Sequence, residues 1–400
     1  MIVRARIVVP MSGDPIEDGA VAVKGNTITG VGRFAELRTY PASEVLDLGD
    51  RVLLPGLINA HCHLDYTVLR GKIPPQPSFA GWIRAINGEK AKLTEHDYID
   101  SIKAGFNEAA RYGTTTIANL TAQPALVPKV EATLRTWWFG ELIDVRNPDD
   151  AEAIADDAAS SLRSVKEWGL APHAPYTASQ KLYARCEEIA RGEQRLLTTH
   201  LAESREEAAM FGEKSGPMFE FLKGIGRPMD DCGRETPLSL FLRTRGMEQP
   251  WIVAHLNELS PSDFDLLAAS PKFHIAHCPR SHTFFGHSPF ALKQLRALGF
   301  NICLGTDSLA SNADLSLFSE MRELLAKESS LKPRDALEMA TVNGAAALGQ
   351  RNRLGCLRPG AFADMITLPI VGRGVFENIV AFEGKIPWMM LDGKIRENAE

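Results

Sequence analysis

The chain has 400 residues, 44% of them apolar and 24% charged, which is ordinary globular composition with ample material for a core. Its 44 basic and 50 acidic residues leave a net charge of −6, which argues against nucleic acid as the main partner. No apolar run approaches the ~20 residues of a membrane span, residues 1–10 hold too short an apolar run for a signal peptide, and six scattered cysteines form no C-x-x-C. A reduced, cytoplasmic location is therefore expected, without disulfides or a cysteine-held zinc.

Taken in order, Met1–Val9, Ala20–Val23 and Thr27–Val31 are rich in Val and Ile, divided by Gly13-Asp14 and Gly25-Asn26. They predict a small β unit; no G-x-G-x-x-G follows any of them. Residues 50–65, DRVLLPGLINAHCHLD, contain a short apolar strand, Leu57–His63, that ends in H-x-H. Residues two apart on a strand share a face, so His61 and His63 are expected side by side. Alone, the pair reads equally as two metal ligands or as two hydrogen-bonded core histidines.

A Pro-rich passage from Gly71 to Ser78 suits a loop over a cleft and leads into a helix at Phe79–Ile86. Thr94 reads as the N-cap of a second helix, with Tyr98, Ile102 and Phe106 at helical spacing and Gly113 ending it. Strand-like runs then recur at Thr114–Leu120, Leu134–Ile143, Leu170–His173, Leu196–His200, Trp251–His255, Phe273–Cys278 and Phe300–Leu304. Between them lie helix-like stretches such as Asp150–Trp168, Ser179–Arg191, Glu206–Phe211 and Pro261–Ala269. With Leu57–His63 this makes eight strands, and the alternation predicts an α/β fold, a (β/α)8 TIM-like barrel over residues 55–355. Ser316–Lys327 and Pro333–Leu348 read as helices, and Ala363–Leu368, Ile379–Phe382 and Trp388–Leu391 as strands. Residues 1–54 and 356–400 are expected to complete one composite β-sandwich domain from both chain ends.

The polar chemistry falls at the C-terminal ends of the predicted strands: His61, His63, His173, His200, His255 and, just past the eighth, Asp307. Barrel active sites sit at that face. His61, His63, His200 and Asp307 make a three-nitrogen, one-carboxylate set with room for a water, the pattern of a catalytic metal site. One divalent metal there would acidify its water to near ~7, zinc first and Fe²⁺ as the alternative. Glu203, three residues after His200, is placed as a proton shuttle, or as an ordinary acid at a helix N-terminus. His255 can polarise the attacked atom, or be a structural strand-end histidine. G-x-S-x-G, a P-loop and H-E-x-x-H are all absent.

PGLINAHCHLD, APHAPYTAS, THLAES, AHL, HCPRSH and LGTDSLASN, followed by the closing G-x-L-x-P-G-x-x-A-D at 355–364, together resemble the amidohydrolase superfamily over nearly the whole chain. Within it the chain looks most like the methylthioadenosine/adenosylhomocysteine deaminases and their aminodeoxyfutalosine relatives, with chlorohydrolases as kin. The resemblance implies a metal on His61, His63, His200 and Asp307, acid/base residues Glu203, His255 and Asp307, and a homodimer. It also implies that Asp307 takes a proton from water, Glu203 protonates the ring nitrogen and ammonia leaves. No lysine stands at the third or fourth strand end, so one metal is expected rather than two.

For the substrate, Glu89 matches a ribose-binding position and His173 a purine-contacting one, while Glu89 reads equally as a solvated helix charge. Trp82 can stack on a base or pack in a lid. Cys278–Phe290 departs from the group, which usually carries S-N where Ser281-His282 stand. Arg280, His282 and His287 there would suit an anionic substituent, which points to 6-aminodeoxyfutalosine before adenosine, methylthioadenosine or adenosylhomocysteine; Arg280 can instead anchor a loop. Another hydrolase of the same barrel (guanine deaminase, chlorohydrolase or cyclic amidase) is the alternative. A non-catalytic binding protein on this barrel would be expected to lack ligands, and none is missing.

Overall fold

The computed structural model describes residues 1–39, 44–246, 251–372 and 374–396. A parallel sheet runs through β1 (Leu57–His63), β2 (Thr114–Thr121), β3 (Arg135–Leu142), β4 (Trp168–Pro172), β5 (Leu196–Leu201), β6 (Trp251–His255), β7 (His274–His277) and β8 (Asn301–Leu304). The two residues that continue β8, Asp307–Ser308, pair with β1. Between the two pieces, the Gly305 N–H donates to the His277 carbonyl and the Thr306 N–H to the His61 carbonyl. One strand thus carries the sheet from its last member back to its first and closes the barrel. Asn59 braces the seam, donating to Thr306 Oγ1 at 2.8 Å and accepting from the Thr306 N–H at 3.2 Å.

Strands buried on both faces read as apolar runs, and here the two faces have separate tasks. Ile58, Ala60, Leu120, Phe139, Ile252 and Ala276 pack inside the barrel. Trp138, Trp168 and Trp251 belong to the larger cluster between barrel and helices, each 2% exposed or less. The pairing of β1 with β2 slips between Asn59 and Cys62. A bulge of this kind shifts side-chain parity. It lets even-numbered Ile58 and Ala60 fill the interior while odd-numbered His61 and His63 face the same space one layer higher.

The β unit built from both chain ends is a single mixed sheet of eight strands. Met365–Pro369 pairs with Arg51–Pro55, and Arg51–Pro55 with Ile2–Val8, so the C-terminal segment is stitched to the N-terminal one. Residues 397–400 of the expected terminal domain lie outside the described residues. Arg135, first in β3, meets the nearly buried Asp364 through two nitrogens at 3.0 and 3.3 Å and fastens barrel to sheet.

Three expected elements differ. The helix over Asp150–Trp168 stops at Leu162, its buried face being alanine and leucine, and Trp168 instead opens β4 in the core. Pro333–Leu348 is two helices, Pro333–Met339 and Val342–Ala347, because Thr341 leaves helical geometry and the Ala340 carbonyl accepts from Ile58 N–H of β1. Ile379–Phe382 is not a strand. Val375–Val380 forms a helix, with Asn378 tying the preceding turn and Ile379 and Val380 buried against the core. Packing overrides the β propensity of these residues.

Candidate active site

The C-terminal ends of β1, β5, β6 and β8 converge. His63 Nε2 lies 3.2 Å from His200 Nε2, and Asp307 Oδ1 lies 3.9 Å from His61 Nε2 and 3.8 Å from His63 Nε2. Ligands held at ~2.1 Å around one tetrahedral ion stand ~3.4 Å apart, so these spacings match a shared metal. A second observation agrees with the donor set: His61 is fully buried, and neither of its ring nitrogens has a hydrogen-bond partner. Leaving such atoms unsatisfied is costly, and a divalent ion would relieve the cost at one nitrogen. His200 Nδ1 contacts the His173 carbonyl at 3.0 Å; donation there leaves Nε2 as a lone-pair donor facing the other ligands.

Neighbouring groups hold the ligands and the acid/base candidates in place. Ser281 Oγ donates to Asp307 Oδ2 at 2.6 Å, Ser311 Oγ adds a longer bond, and the Ser308 N–H donates to Oδ1. Glu203 Oε1 lies 3.6 Å from His255 Nε2. The fully buried Glu207 carboxylate accepts from the N–H groups of Ala202 and Glu203, and Asn257 donates to the Glu203 carbonyl. Asp307 (φ 56°), His255 (φ 71°), Leu256 (φ 55°) and Ala202 (φ 48°) all occupy the left-handed region. Strained backbone of this kind persists where the surroundings over-determine it. At His255 it has a visible effect: Val253 two residues earlier faces the outer cluster, yet His255 reaches the inner site.

The electrostatics follow from burial. Desolvation lowers His61, His63, His173 and His255 well below the usual histidine range, with neighbouring imidazoles adding to it. All four therefore favour the neutral, lone-pair-bearing form. Burial, then the charges of Asp307 and Glu207, raises the Glu203 carboxyl well above its ordinary value. A carboxyl so placed favours its proton, as a general acid must. Glu141 is raised by burial too, against the opposing charges of His200 and Lys90.

Above these groups opens a cavity of about 420 Å³, within the range of small-ligand sites. Its roof is α1 (Phe79–Lys90), which presents Phe79, Trp82, Ile86 and Lys90 to it, and its floor includes His63, His173, His200, Glu203, His255 and Asp307. Trp82 and His173 thus lie in the cavity wall. Glu89 does not: one residue before Lys90, it points elsewhere on the helix and pairs with Lys92 at 2.6 Å. Arg280 is also outside, held by Asp314 at 2.6 Å at the start of α2 (Pro279–Phe285). His282 contacts Asn257 Oδ1 at 3.0 Å, and His287 packs among Phe79 and Phe285 in a neighbouring hollow. Sequence reasoning did not single out Glu141, Lys90, Ser281 or Ser311 as site residues. Glu141 alone carried a signal, since it stands at a strand end like the histidines.

Residues 52–394 match the amidohydrolase family model. The chain belongs to the amidohydrolase family. This amidohydrolase is a hydrolase acting on C–N bonds. It is 31% identical over 386 residues to a 5-methylthioadenosine/S-adenosylhomocysteine deaminase of Moorella thermoacetica, covering 92% of this chain and 85% of the relative. A deaminase of the same name from Pyrococcus furiosus is 30% identical over 367 residues, covering 88% and 80%. The structure of Helicobacter pylori aminofutalosine deaminase in complex with methylthio-coformycin superposes with a TM-score of 0.86 at 21% identity, over 99% of this chain and 100% of that one. A zinc-bound adenosine deaminase of Xanthomonas campestris superposes with a TM-score of 0.84 at 24% identity, over 98% and 92%. At these identities the structural matches speak for the fold. Among the described residues, no helix is long and apolar enough to cross a membrane.

Proposed function

We propose that this amidohydrolase is a metal-dependent deaminase of adenosine-type nucleosides, replacing the 6-amino group by oxygen with release of ammonia. The observation that carries the reading is the clustering of His61, His63 and Asp307, with His200 Nε2 3.2 Å from His63 Nε2, beside the Glu203–His255 pair at the floor of a cavity of about 420 Å³. The names of the relatives at 30–31% identity support the substrate class.

His61, His63, His200 and Asp307 would hold one divalent ion, zinc by preference and Fe²⁺ as the alternative; when bound it supplies a Lewis acid that makes water a nucleophile near neutral pH. The residues supply proton transfer and orientation. Asp307, fixed by Ser281, Ser311 and the Ser308 N–H, takes the proton of the attacking water. Glu203 gives its proton to the ring nitrogen next to the amine-bearing carbon, while His255, 3.6 Å away, orients it. The C–O bond forms, the C–N bond breaks, and the nitrogen leaves as ammonia with a proton returned through the same carboxyls. The closed barrel and the aromatic roof of α1 exclude bulk water.

A second observation bears on the substituent. Arg84, Lys90 and Arg146 line the cavity, and among the described residues none of them forms an ion pair within 4.0 Å. They take the place expected for Arg280 and favour a nucleoside carrying an anionic group, 6-aminodeoxyfutalosine ahead of adenosine, methylthioadenosine and adenosylhomocysteine. The test is ammonia release from those four compounds and guanine by the metal-loaded protein. Release from guanine alone would overturn the nucleoside reading.

A further inference from the structure

The helix α3 (Leu317–Lys327) buries Leu317, Phe318, Met321 and Leu324, and the same face carries an acid, Glu320, which is fully buried. A glutamate is almost never kept in such a place without partners. Its two oxygens meet two different segments. Oε2 accepts from the Arg280 N–H at 2.9 Å, at the start of α2, and Oε1 accepts from Asn312 Nδ2 at 2.6 Å, in the loop that follows Asp307. Asn312 Nδ2 also donates to the Thr306 carbonyl at 2.8 Å, and its Oδ1 accepts from the Ala313 N–H, which fixes the orientation of the amide. Burial raises the proton affinity of the Glu320 carboxyl, and the Arg280 N–H, the Arg280 charge and Asn312 oppose it.

Each of the two segments carries a serine beside its anchor. Arg280 precedes Ser281 and Asn312 follows Ser311, and both serine hydroxyls reach the same oxygen, Asp307 Oδ2, at 2.6 and 3.3 Å. The hydroxyls themselves lie 3.1 Å apart. One carboxyl group thus holds the neighbour of each serine, and the serines hold the oxygen of Asp307 that does not face His61 and His63. We infer that Glu320 is a positioning residue, which sets both serines on Asp307 Oδ2 and so aims Oδ1 at His61 and His63. This rests on the reading of Asp307 as metal ligand and base.

The test reads metal affinity as well as turnover. Zn²⁺ affinity by competition with a chelator, ammonia release from adenosine and thermal denaturation are measured for the wild type, Glu320→Gln, the double variant Ser281→Ala/Ser311→Ala and the triple variant that combines them. Glutamine keeps the volume but turns an amide NH2 towards one of the two donors. Glu320→Gln should lower zinc affinity and kcat about 10-fold each, the scale of groups that orient metal ligands, with KM unchanged. Without the two serines the same change should lower neither by more than about twofold, because Glu320 then has nothing to act through. Equal losses in both backgrounds, or wild-type zinc affinity and kcat in Glu320→Gln, overturn the assignment and leave Glu320 a core residue. Should Glu320→Gln fail to fold, Asn312→Ala, which frees Oε1 and leaves the bond to Arg280, makes the same comparison against Ser311→Ala, and equal losses again overturn it. A wild type that binds zinc and releases no ammonia overturns the deaminase reading, while the zinc affinities still decide the role of Glu320.

Discussion

Glu206 caps the roof of the cavity from the helix that follows the catalytic loop, and removing it makes a quantitative prediction. The first amides of α1 have no partners within the helix. Ser78 accepts from Gly81 N–H at 2.9 Å, and Glu206 accepts from Phe79 N–H at 2.6 Å and Ala80 N–H at 3.0 Å. Glu206 lies three residues after Glu203, in the first turn of the helix Arg205–Glu213. Two hydrogen bonds to a partly exposed carboxylate, with the favourable position at a helix N-terminus, come to about 2 kcal/mol after solvent screening. Glu206→Ala should therefore raise the opening equilibrium of α1 about 30-fold, and Glu206→Gln, which keeps one acceptor, about 5-fold. Hydrogen exchange of the amides in residues 79–90 measures this directly. The barrel strands should keep wild-type protection, and KM should rise as the roof loosens. Exchange of 79–90 at the wild-type rate in Glu206→Ala would show that Glu206 does not hold the roof closed.

Other perturbations separate catalysis from structure. Ser281→Ala removes the 2.6 Å bond to Asp307 and should lower kcat about 10- to 100-fold with little change in KM; an unchanged kcat would show that Asp307 needs no such support. Arg280→Ala breaks an ion pair outside the cavity, so thermal denaturation should show a modest loss of Tm while steady-state KM stays at its wild-type value; a large rise in KM would return Arg280 to the substrate. Burial lowers His287 from 6.5 to about 3, so the folded form disfavours its proton. The stability this contributes is lost as pH falls from the unfolded value towards about 3. Urea midpoints at pH 7 and 4.5 should fall further for the wild type than for His287→Phe, and equal slopes would contradict this origin of acid sensitivity. Chelation should lower Tm in a way that added Zn²⁺ reverses, because the ion binds the folded form only.

The barrel was legible because its strands are apolar, β-branched runs buried on both faces, and because histidines and an aspartate recur at their C-terminal ends. What escaped was decided by geometry that a linear pattern does not carry. Glu89 and Lys90 are adjacent, and a rotation of ~100° per residue decides which of them faces the cavity. His255 reaches the site through a left-handed backbone that alternation cannot foresee. Arg280 looked free because its partner, Asp314, lies 34 positions away. Ile379 and Val380 have strand propensity, yet a six-residue helix buries them. Strand alternation puts the two histidines of H-x-H on one face, where their rings lie 5.1 Å apart, but the bulge that sets that face above Ile58 and Ala60 appears only in the pairing with β2.

In the proposed reading, His61, His63, His200 and Asp307 hold a metal beside Glu203 for a deamination. The most direct measurement pairs metal content with ammonia release from adenosine-type nucleosides, for the wild type and for Asp307→Asn with its fold checked by circular dichroism. The wild type should carry one divalent ion per chain and release one ammonia per 6-oxo nucleoside formed, and Asp307→Asn should be folded and inactive. A metal-loaded wild type that releases no ammonia from any of the nucleosides, or an Asp307→Asn variant that turns over as fast as the wild type, would contradict it.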